Sequence, residues 1–312
     1  MAKAKTANRM KGKNKYSANQ LFNFAKDSYL ERTSRPIYAI VFLLPFIIFY
    51  EVGTFGINTD VLNQSQIRVV AFVWLQNLLE SLGFGGKFAW VAPPLAVVVI
   101  LIALQITSGK QWRFWLGDIL PMAVECILLA VPLIALYFLL SSLAGSEGTV
   151  SWWDSSGIQT QIEPLPNCSS VAGSGLLSQS SEAGGIEPGQ TLLANIVTGI
   201  GAGIYEELIF RLILICLLML FFQDVLRLTH KNSIVLSVLI SAALFSAHHH
   251  IDLLNGQPNT TDPFNLIKFA FRTIAGIYFA VLFAIRGFGI TAGTHAFYNI
   301  IAVSITAGFF HR

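Results

Sequence analysis

Two adjacent carboxylates and an arginine lie within a long apolar stretch of the sequence, as Glu206, Glu207 and Arg211. On a helix, residues four apart share one face, whereas adjacent residues project about 100° apart. The spacing therefore predicts an ion pair between Glu207 and Arg211, and it leaves Glu206 facing elsewhere, where a carboxylate can act as a general base. Taken alone, the three residues also fit a charge cluster that stabilises a helix near the bilayer boundary.

Two histidine patterns follow in later apolar stretches. In the first, Phe245 and His249 share a helical face, although the adjacent His248 competes for the same role. In the second, a spacing of four aligns His295 with Asn299. Each histidine alone is more often a hydrogen-bonded core residue than a catalyst. Together with the carboxylates they fit amide hydrolysis, because a carboxylate beside an imidazole can activate water while a second imidazole and an amide donate to the oxyanion.

The order of these patterns is Glu-Glu-x-x-x-Arg, then Phe-x-x-x-His, then His-x-x-x-Asn. In this order they resemble the CAAX protease and bacteriocin-processing family of intramembrane proteases, which is the family of the type II CAAX prenyl endopeptidases. The resemblance covers about residues 190–305. The positions that match the family's motifs are Glu206, Glu207, Arg211, Phe245, His249, His295 and Asn299.

The resemblance implies an all-helical membrane fold whose site lies between helices and opens to the cytoplasmic side. It implies that Glu206 and His249 activate the attacking water, and that His295 and Asn299 stabilise the oxyanion. The remaining matched residues would support the site structurally; they are Glu207, Arg211 and Phe245. One position departs from the family pattern, because Leu212 stands where a glycine often follows the arginine.

The composition indicates what kind of protein must hold these residues. Of 312 residues, 54% are hydrophobic and 12% are charged, whereas soluble domains carry about 25% charged residues. So few charges cannot cover the surface of a soluble protein of this size, so a polytopic membrane protein is predicted. Three cysteines exclude a disulfide-stapled secreted module. The net charge is only +3, and the positive charge is concentrated at the N-terminus. This distribution argues against nucleic acid as a partner.

Seven apolar stretches are long enough to cross a bilayer, which takes about 20 residues. They are residues 37–57, 89–107, 117–142, 191–226, 234–251, 264–285 and 288–309. The stretch 191–226 is too long for a simple span and is interrupted by Gly199, Gly201 and Gly203. Residues 69–84 are short and partly polar, so they are expected in the interface. The predicted fold is an all-α, polytopic membrane bundle with seven transmembrane helices, or eight if the interfacial segment also crosses.

The distribution of charge divides the chain into four parts. Residues 1–35 are expected to be a basic cytoplasmic tail, with nine basic and two acidic residues. Residues 36–142 hold the N-terminal membrane helices. Residues 143–190 contain no lysine or arginine and are expected to be a polar, acidic outside loop. Residues 191–310 hold the catalytic membrane helices. The charged residues inside apolar runs are expected to pair or to snorkel, with substrate binding as the alternative; they are Glu51, Glu125, Lys268 and Arg272.

Two other functional hypotheses are compatible with these residues. A metal-dependent peptidase would use His249, His295 and a glutamate as zinc ligands, but no His-Glu-x-x-His string favours it, and no cofactor is expected. A non-catalytic membrane scaffold, immunity-type protein or transporter would use the same residues as a polar pocket. Against a transporter, the sequence contains no repeat of matched broken helices.

The expected activity is that of an intramembrane endopeptidase. Its expected partners are membrane lipid and a membrane-associated protein or peptide, either a prenylated CaaX-type protein or one without a prenyl group. The expected location is a bacterial cytoplasmic membrane, or the endoplasmic reticulum if the source is eukaryotic, with the chain crossing several times.

Overall fold

The computed structural model of the chain describes residues 24–25, 27–57, 65–86, 89–143, 160–164, 188–252, 257–258 and 264–310, which are mostly helical. In chain order the helices are α1 (Tyr29–Thr33), α2 (Pro36–Ile57), α3 (Val70–Ser81), α4 (Ala92–Ser108), α5 (Ile119–Leu143), α6 (Pro188–Glu207), α7 (Ile215–Leu220), α8 (His230–Ala247), α9 (Leu266–Arg286) and α10 (Phe288–Phe310). Two π-helical segments, Leu208–Leu214 and Phe221–Val225, flank α7. One nearly continuous helix therefore runs from Pro188 to Val225.

Six helical stretches of the described chain are long and apolar enough to cross a membrane. They are Pro36–Ile57, Leu116–Leu140, Leu192–Val225, His230–Ala247, Leu266–Arg286 and Phe288–Ala307. The shorter apolar helix α4 matches the seventh predicted crossing. The prediction of a polytopic membrane bundle is thereby confirmed. With 12 residues, α3 is about 18 Å long, which is too short to cross a hydrocarbon core of about 30 Å.

The glycines near the middle of the long helix do not interrupt it, contrary to the expectation for that stretch. Helix α6 continues through them to Glu207. A Cβ atom on Gly201 would lie 2.2 Å from the Tyr50 ring, and one on Gly203 would lie 2.5 Å from the backbone nitrogen of Ala296. These glycines therefore allow α2 and α10 to approach α6 closely. The irregularity of the helix comes later, at its π-helical segments.

The helices before and after the long loop share one hydrophobic core. Helix α6 packs between α2 and α10, and α10 also packs against α5. Tyr50 of α2, Met122 of α5 and Tyr205 of α6 all belong to this core. The predicted ranges 36–142 and 191–310 are therefore interleaved in space.

The last residues of the predicted basic tail are a structured part of the bundle. Arg32 of α1 donates two hydrogen bonds to the Asp118 carboxylate at the start of α5, from Nε to Oδ2 at 3.1 Å and from Nη2 to Oδ1 at 3.0 Å. This paired geometry is the strong form of an arginine–carboxylate contact. Residues 1–23, which carry most of the tail's charge, lie outside the described residues.

Two short antiparallel β-ribbons, which the sequence did not indicate, accompany the helices. Strand β1 (Ser65–Val69) pairs with β2 (Thr160–Pro164), and β3 (Ile251–Asp252) pairs with β4 (Gln257–Pro258). Apart from β2 and the helix ends on either side, the predicted outside loop 143–190 lies outside the described residues. Its outside location therefore stays a prediction.

Candidate active site

The Glu206 carboxylate lies between two histidines that come from different parts of the fold. Glu206 is in the last turn of α6 and is 1% exposed. Its Oε1 lies 3.9 Å from His248 Nε2, and its Oε2 lies 3.9 Å from His295 Nε2. Both distances exceed that of a direct hydrogen bond. Within the part of the chain that the structure describes, Glu206 Oε1 and His248 Nε2 are buried without a hydrogen-bond partner.

The neighbouring carboxylate, Glu207, contacts two side chains directly. Its Oε1 accepts a hydrogen bond from His295 Nδ1 at 2.8 Å, and its Oε2 lies 3.0 Å from Arg211 Nε. The ion pair expected from the spacing of four residues is therefore present. The two adjacent carboxylates face different partners, which follows from their angular separation on a helix.

Arg211 lies inside the π-helical segment Leu208–Leu214 and is fully buried. Its guanidinium carbon is 4.1 Å from the ring centroid of Phe245 and 5.6 Å from that of Phe279. Its Nη2 donates to the Gly276 carbonyl at 3.4 Å. The buried cation is thus held by a carboxylate, two aromatic rings and a backbone carbonyl. Such π-helical segments are frequent at functional sites.

Three consecutive histidines begin where α8 ends, at Ala247. Nδ1 of His248 contacts the Phe245 carbonyl, and its Nε2 faces Glu206. The His249 ring centroid lies 3.9 Å from that of His248 and 5.4 Å from that of Phe245. The structure therefore brings both histidines of the uncertain register to the site, and it does not separate their roles.

His295 and Asn299 lie one turn apart on α10. The Phe279 ring stacks on the His295 ring at a centroid distance of 4.6 Å and an interplanar angle of 21°. Asn299 Nδ2 donates to the Gly199 carbonyl of α6 at 2.9 Å. One N–H of this amide therefore serves the packing of α10 on α6, and the amide has a second N–H to donate.

The formal charges of the buried site do not balance when its histidines are neutral. Two carboxylates, Glu206 and Glu207, face one guanidinium, Arg211. Buried charges are stable when they are paired. His295 is the side chain that contacts one of these carboxylates and lies near the other.

In the described part of the chain, three residues could hold a metal ion. Glu206, His248 and His249 each offer one ligand atom, and these atoms all lie within 4.8 Å of one another. Carboxylate and imidazole are common zinc ligands, so the donor types fit a divalent ion. The set differs from the expected zinc ligands, because His295 is engaged by Glu207 through Nδ1 and is outside this group.

Two of the other charged residues within apolar runs contact an arginine or an imidazole. Glu125 accepts from Arg286 Nε at 2.6 Å, and Arg272 Nη1 lies 3.3 Å from His250 Nε2. Glu51 accepts a hydrogen bond from a tyrosine hydroxyl at 3.2 Å. These contacts fit the expectation that such charges pair, and they place Arg272 beside the histidine cluster.

Sequence reasoning missed the contribution of α9. Phe279 stacks on one site histidine, and Gly276 accepts a hydrogen bond from the site arginine. Neither belongs to a motif. A phenylalanine at helical spacing in an apolar run has the pattern of any core residue, so the sequence carried no signal for it.

The comparisons with known proteins concern the part of the chain that carries these motifs. A family model described as "Type II CAAX prenyl endopeptidase Rce1-like" matches residues 188–301. The matched range begins where α6 begins and contains all seven motif residues, which confirms the resemblance found in the sequence. Comparison with curated proteins gives no match, and neither does comparison with solved structures.

Proposed function

We propose that the protein is an intramembrane endopeptidase, because residues 188–301 match the family model described as "Type II CAAX prenyl endopeptidase Rce1-like". One observation carries the mechanism: the buried Glu206 carboxylate has an imidazole nitrogen 3.9 Å from each of its oxygens. The substrate is a membrane-associated protein or peptide, whose scissile bond reaches this site between the helices of a multi-pass membrane protein.

Glu206 is the general base of the proposed reaction. One water can hydrogen-bond to two polar atoms that are 3.9 Å apart, as Glu206 Oε1 and His248 Nε2 are. The carboxylate takes a proton from this water while the water oxygen bonds to the scissile carbonyl carbon. An imidazole assists the base. The motif spacing assigns that role to His249, and His248 is the alternative.

His295 and Asn299 stabilise the oxyanion that forms on the carbonyl oxygen. In this role His295 donates from both ring nitrogens, from Nδ1 to Glu207 and from Nε2 to the oxyanion. Asn299 supplies its second N–H, since the first is donated to a helix carbonyl. When the intermediate collapses, the C–N bond breaks and the proton held by Glu206 passes to the leaving amine.

The test is cleavage of a peptide library by purified protein in liposomes. Glu206→Gln is expected to lower turnover by about 10²–10⁴, the usual contribution of a general base. Glu80→Gln, the same change at an exposed position of α3, is the matched control and is expected to cleave normally. Wild-type turnover in a folded Glu206→Gln protein would reject the glutamate mechanism. Absence of cleavage by the wild type would favour the non-catalytic scaffold, immunity-type protein or transporter.

The metal-dependent version is a second candidate, supported by the convergence of Glu206, His248 and His249. A bound ion there would act as a Lewis acid and lower the pKa of a bound water. Dialysis against a chelator, followed by metal analysis and cleavage assays, separates the versions. Loss of activity on chelation that is restored by zinc would favour the metal, and full activity with no bound metal would exclude it.

A prenylated CaaX-type protein is the proposed substrate class. It is supported by the description of the matched family. Cleavage of farnesylated peptides is expected to exceed that of the same peptides without the lipid, and equal rates would contradict the assignment. Fractionation of the source cells would test the proposed location, the cytoplasmic membrane of a bacterium or the endoplasmic reticulum of a eukaryote.

A further inference from the structure

A tryptophan from outside the family match borders the candidate site. The Trp74 indole of α3 lies 5.8 Å from the His248 ring and 6.3 Å from the Phe210 ring, measured between centroids. Helix α3 is held against α6 by Phe72, whose ring meets that of Tyr205 edge-on at 5.0 Å. Tyr205 directly precedes the proposed general base. The position of the indole is therefore fixed relative to the site.

The indole N–H of Trp74 is a buried donor with no acceptor in the described ranges of the chain, although the residue as a whole is only half-buried. An indole nitrogen donates and does not accept, and a buried tryptophan N–H usually has a partner. Leaving such a donor unpaired costs free energy.

Among the other buried atoms of the described chain without hydrogen-bond partners are Glu206 Oε1 and His248 Nε2, which lie 3.9 Å apart, and Trp74 borders the same imidazole. Native structures contain few such atoms, and each needs an explanation. Three of them, contributed by α3, α6 and the end of α8, indicate a place where a polar ligand binds.

We infer that Trp74 binds substrate, by donating its indole N–H to a backbone carbonyl close to the scissile one. The inference rests on the proposed function, because it takes the ligand to be a peptide. Peptide carbonyls that leave water need donors inside the site. The indole N–H is a donor that the protein itself leaves unused.

The position of Trp74 indicates that its indole N–H binds a substrate carbonyl next to the scissile one, and not the scissile carbonyl itself. In the proposed mechanism the oxygen of the scissile carbonyl faces His295 and Asn299 of α10. Trp74 belongs to α3 and contacts His248 instead. An extended peptide advances about 3.3–3.6 Å per residue. A carbonyl one or two residues from the scissile bond therefore reaches the indole while the scissile carbonyl stays beside Glu206. A helix outside the family match thus contributes to substrate binding.

The test measures binding without cleavage, in the Glu206→Gln protein reconstituted in liposomes. The probe is a fluorescein-labelled, farnesylated peptide with a CaaX C-terminus, followed by anisotropy. In a companion series of peptides, each carbonyl near the scissile bond is replaced in turn by a methylene group. Trp74→Phe keeps an aromatic ring against His248 and removes the N–H. Trp90→Phe, at a position that is 59% exposed, is the matched control.

Trp74→Phe is expected to weaken binding of the parent peptide about fivefold, as for one lost hydrogen bond, while Trp90→Phe leaves it unchanged. For the peptide that lacks the partnered carbonyl, Trp74→Phe should cost nothing further, because both changes remove the same bond. The same loss for every peptide in the series, or no loss, would overturn the inference.

Two further outcomes distinguish a failure of this inference from a failure of the proposed function. The coupling between Trp74 and one carbonyl, observed in a protein whose wild type cleaves nothing, would keep the binding site and reject the peptidase. If Trp74→Phe fails to fold, the peptide series on the Glu206→Gln protein decides alone. Binding that tolerates every methylene replacement would then overturn the inference.

Discussion

His295 Nδ1 donates to Glu207 Oε1 at 2.8 Å, and this bond joins the first motif on α6 to the third motif on α10. The other ring nitrogen of His295 lies 3.9 Å from Glu206. A single imidazole therefore stands between two adjacent carboxylates with different surroundings. Glu207 is bound on both of its oxygens. The two histidine nitrogens that face Glu206 each lie 3.9 Å away, so Glu206 is the carboxylate available for chemistry.

This difference predicts that the same substitution, glutamate to glutamine, lowers the stability of the protein by unequal amounts at the two neighbouring positions. Glu207→Gln leaves the buried Arg211 charge without its carboxylate and is expected to cost about 3–5 kcal/mol of stability. Glu206→Gln is expected to cost less than about 1 kcal/mol, because no direct hydrogen bond is lost. Thermal unfolding in detergent measures both. Equal losses of stability would contradict the division of roles.

The two candidate histidines can be separated by substitution. His249→Ala is expected to lower cleavage by about 10²–10⁴, as for loss of acid–base assistance. His248→Ala should lower it less, because the motif spacing assigns the assisting role to His249. Rates of both variants, with folding checked by circular dichroism, decide the matter. A larger effect at His248 would transfer the role to the residue whose Nε2 faces Glu206.

Gly203→Ala should displace α10 from α6. Its Cβ would lie 2.5 Å from the Ala296 backbone nitrogen and 2.8 Å from that residue's Cα, and backbone cannot rotate out of the way as a side chain can. We expect a loss of about 1–3 kcal/mol and at least a tenfold fall in cleavage, because His295 is adjacent to the contact. Gly56→Ala on α2, where nothing lies within 4 Å, is the control. Normal cleavage by the Gly203→Ala protein would contradict this prediction, because it would show that the site tolerates displacement of α10.

The junction between α9 and α10 is held by Arg286. It pairs with Glu125 through Nε and Nη2, at 2.6 and 2.7 Å, and it donates to the Leu30 carbonyl and the Thr33 hydroxyl, each at 2.8 Å. Arg286→Gln is expected to destabilise the protein by about 2–3 kcal/mol, as for hydrogen bonds to a charged group.

The control for this change is Arg113→Gln, at an exposed position, which should leave the unfolding temperature unchanged. A deletion of residues 1–33 should reproduce part of the Arg286 effect, because it removes two of its four contacts. A truncated protein as stable as the full chain would show that Glu125 alone secures the junction.

The sequence was sufficient for what depends on spacing along one helix. Apolar length predicted the membrane helices, and the four-residue interval predicted the ion pair of Glu207 with Arg211. It was insufficient for what depends on the register between helices. Nothing in the interval from Glu207 to His295 indicates their hydrogen bond, and nothing marks Trp74 as a neighbour of the histidines. The glycines of α6 have the pattern of interruptions, because close helix packing and helix breaking use the same residue.

The length of the helix that carries Glu206 has a consequence for the lipid around it. The apolar stretch Leu192–Val225 has 34 residues, or about 51 Å of helix, against a hydrocarbon core of about 30 Å. Even a tilt of about 40°, the upper end of the usual range, leaves its vertical extent several ångströms longer than that core. The excess is met by kinking, by a helix end that projects beyond the core or by local thickening of the bilayer, so acyl-chain length acts on the element that holds the general base. Liposomes of longer-chain lipids should relieve that hydrophobic mismatch, and shorter chains should increase it.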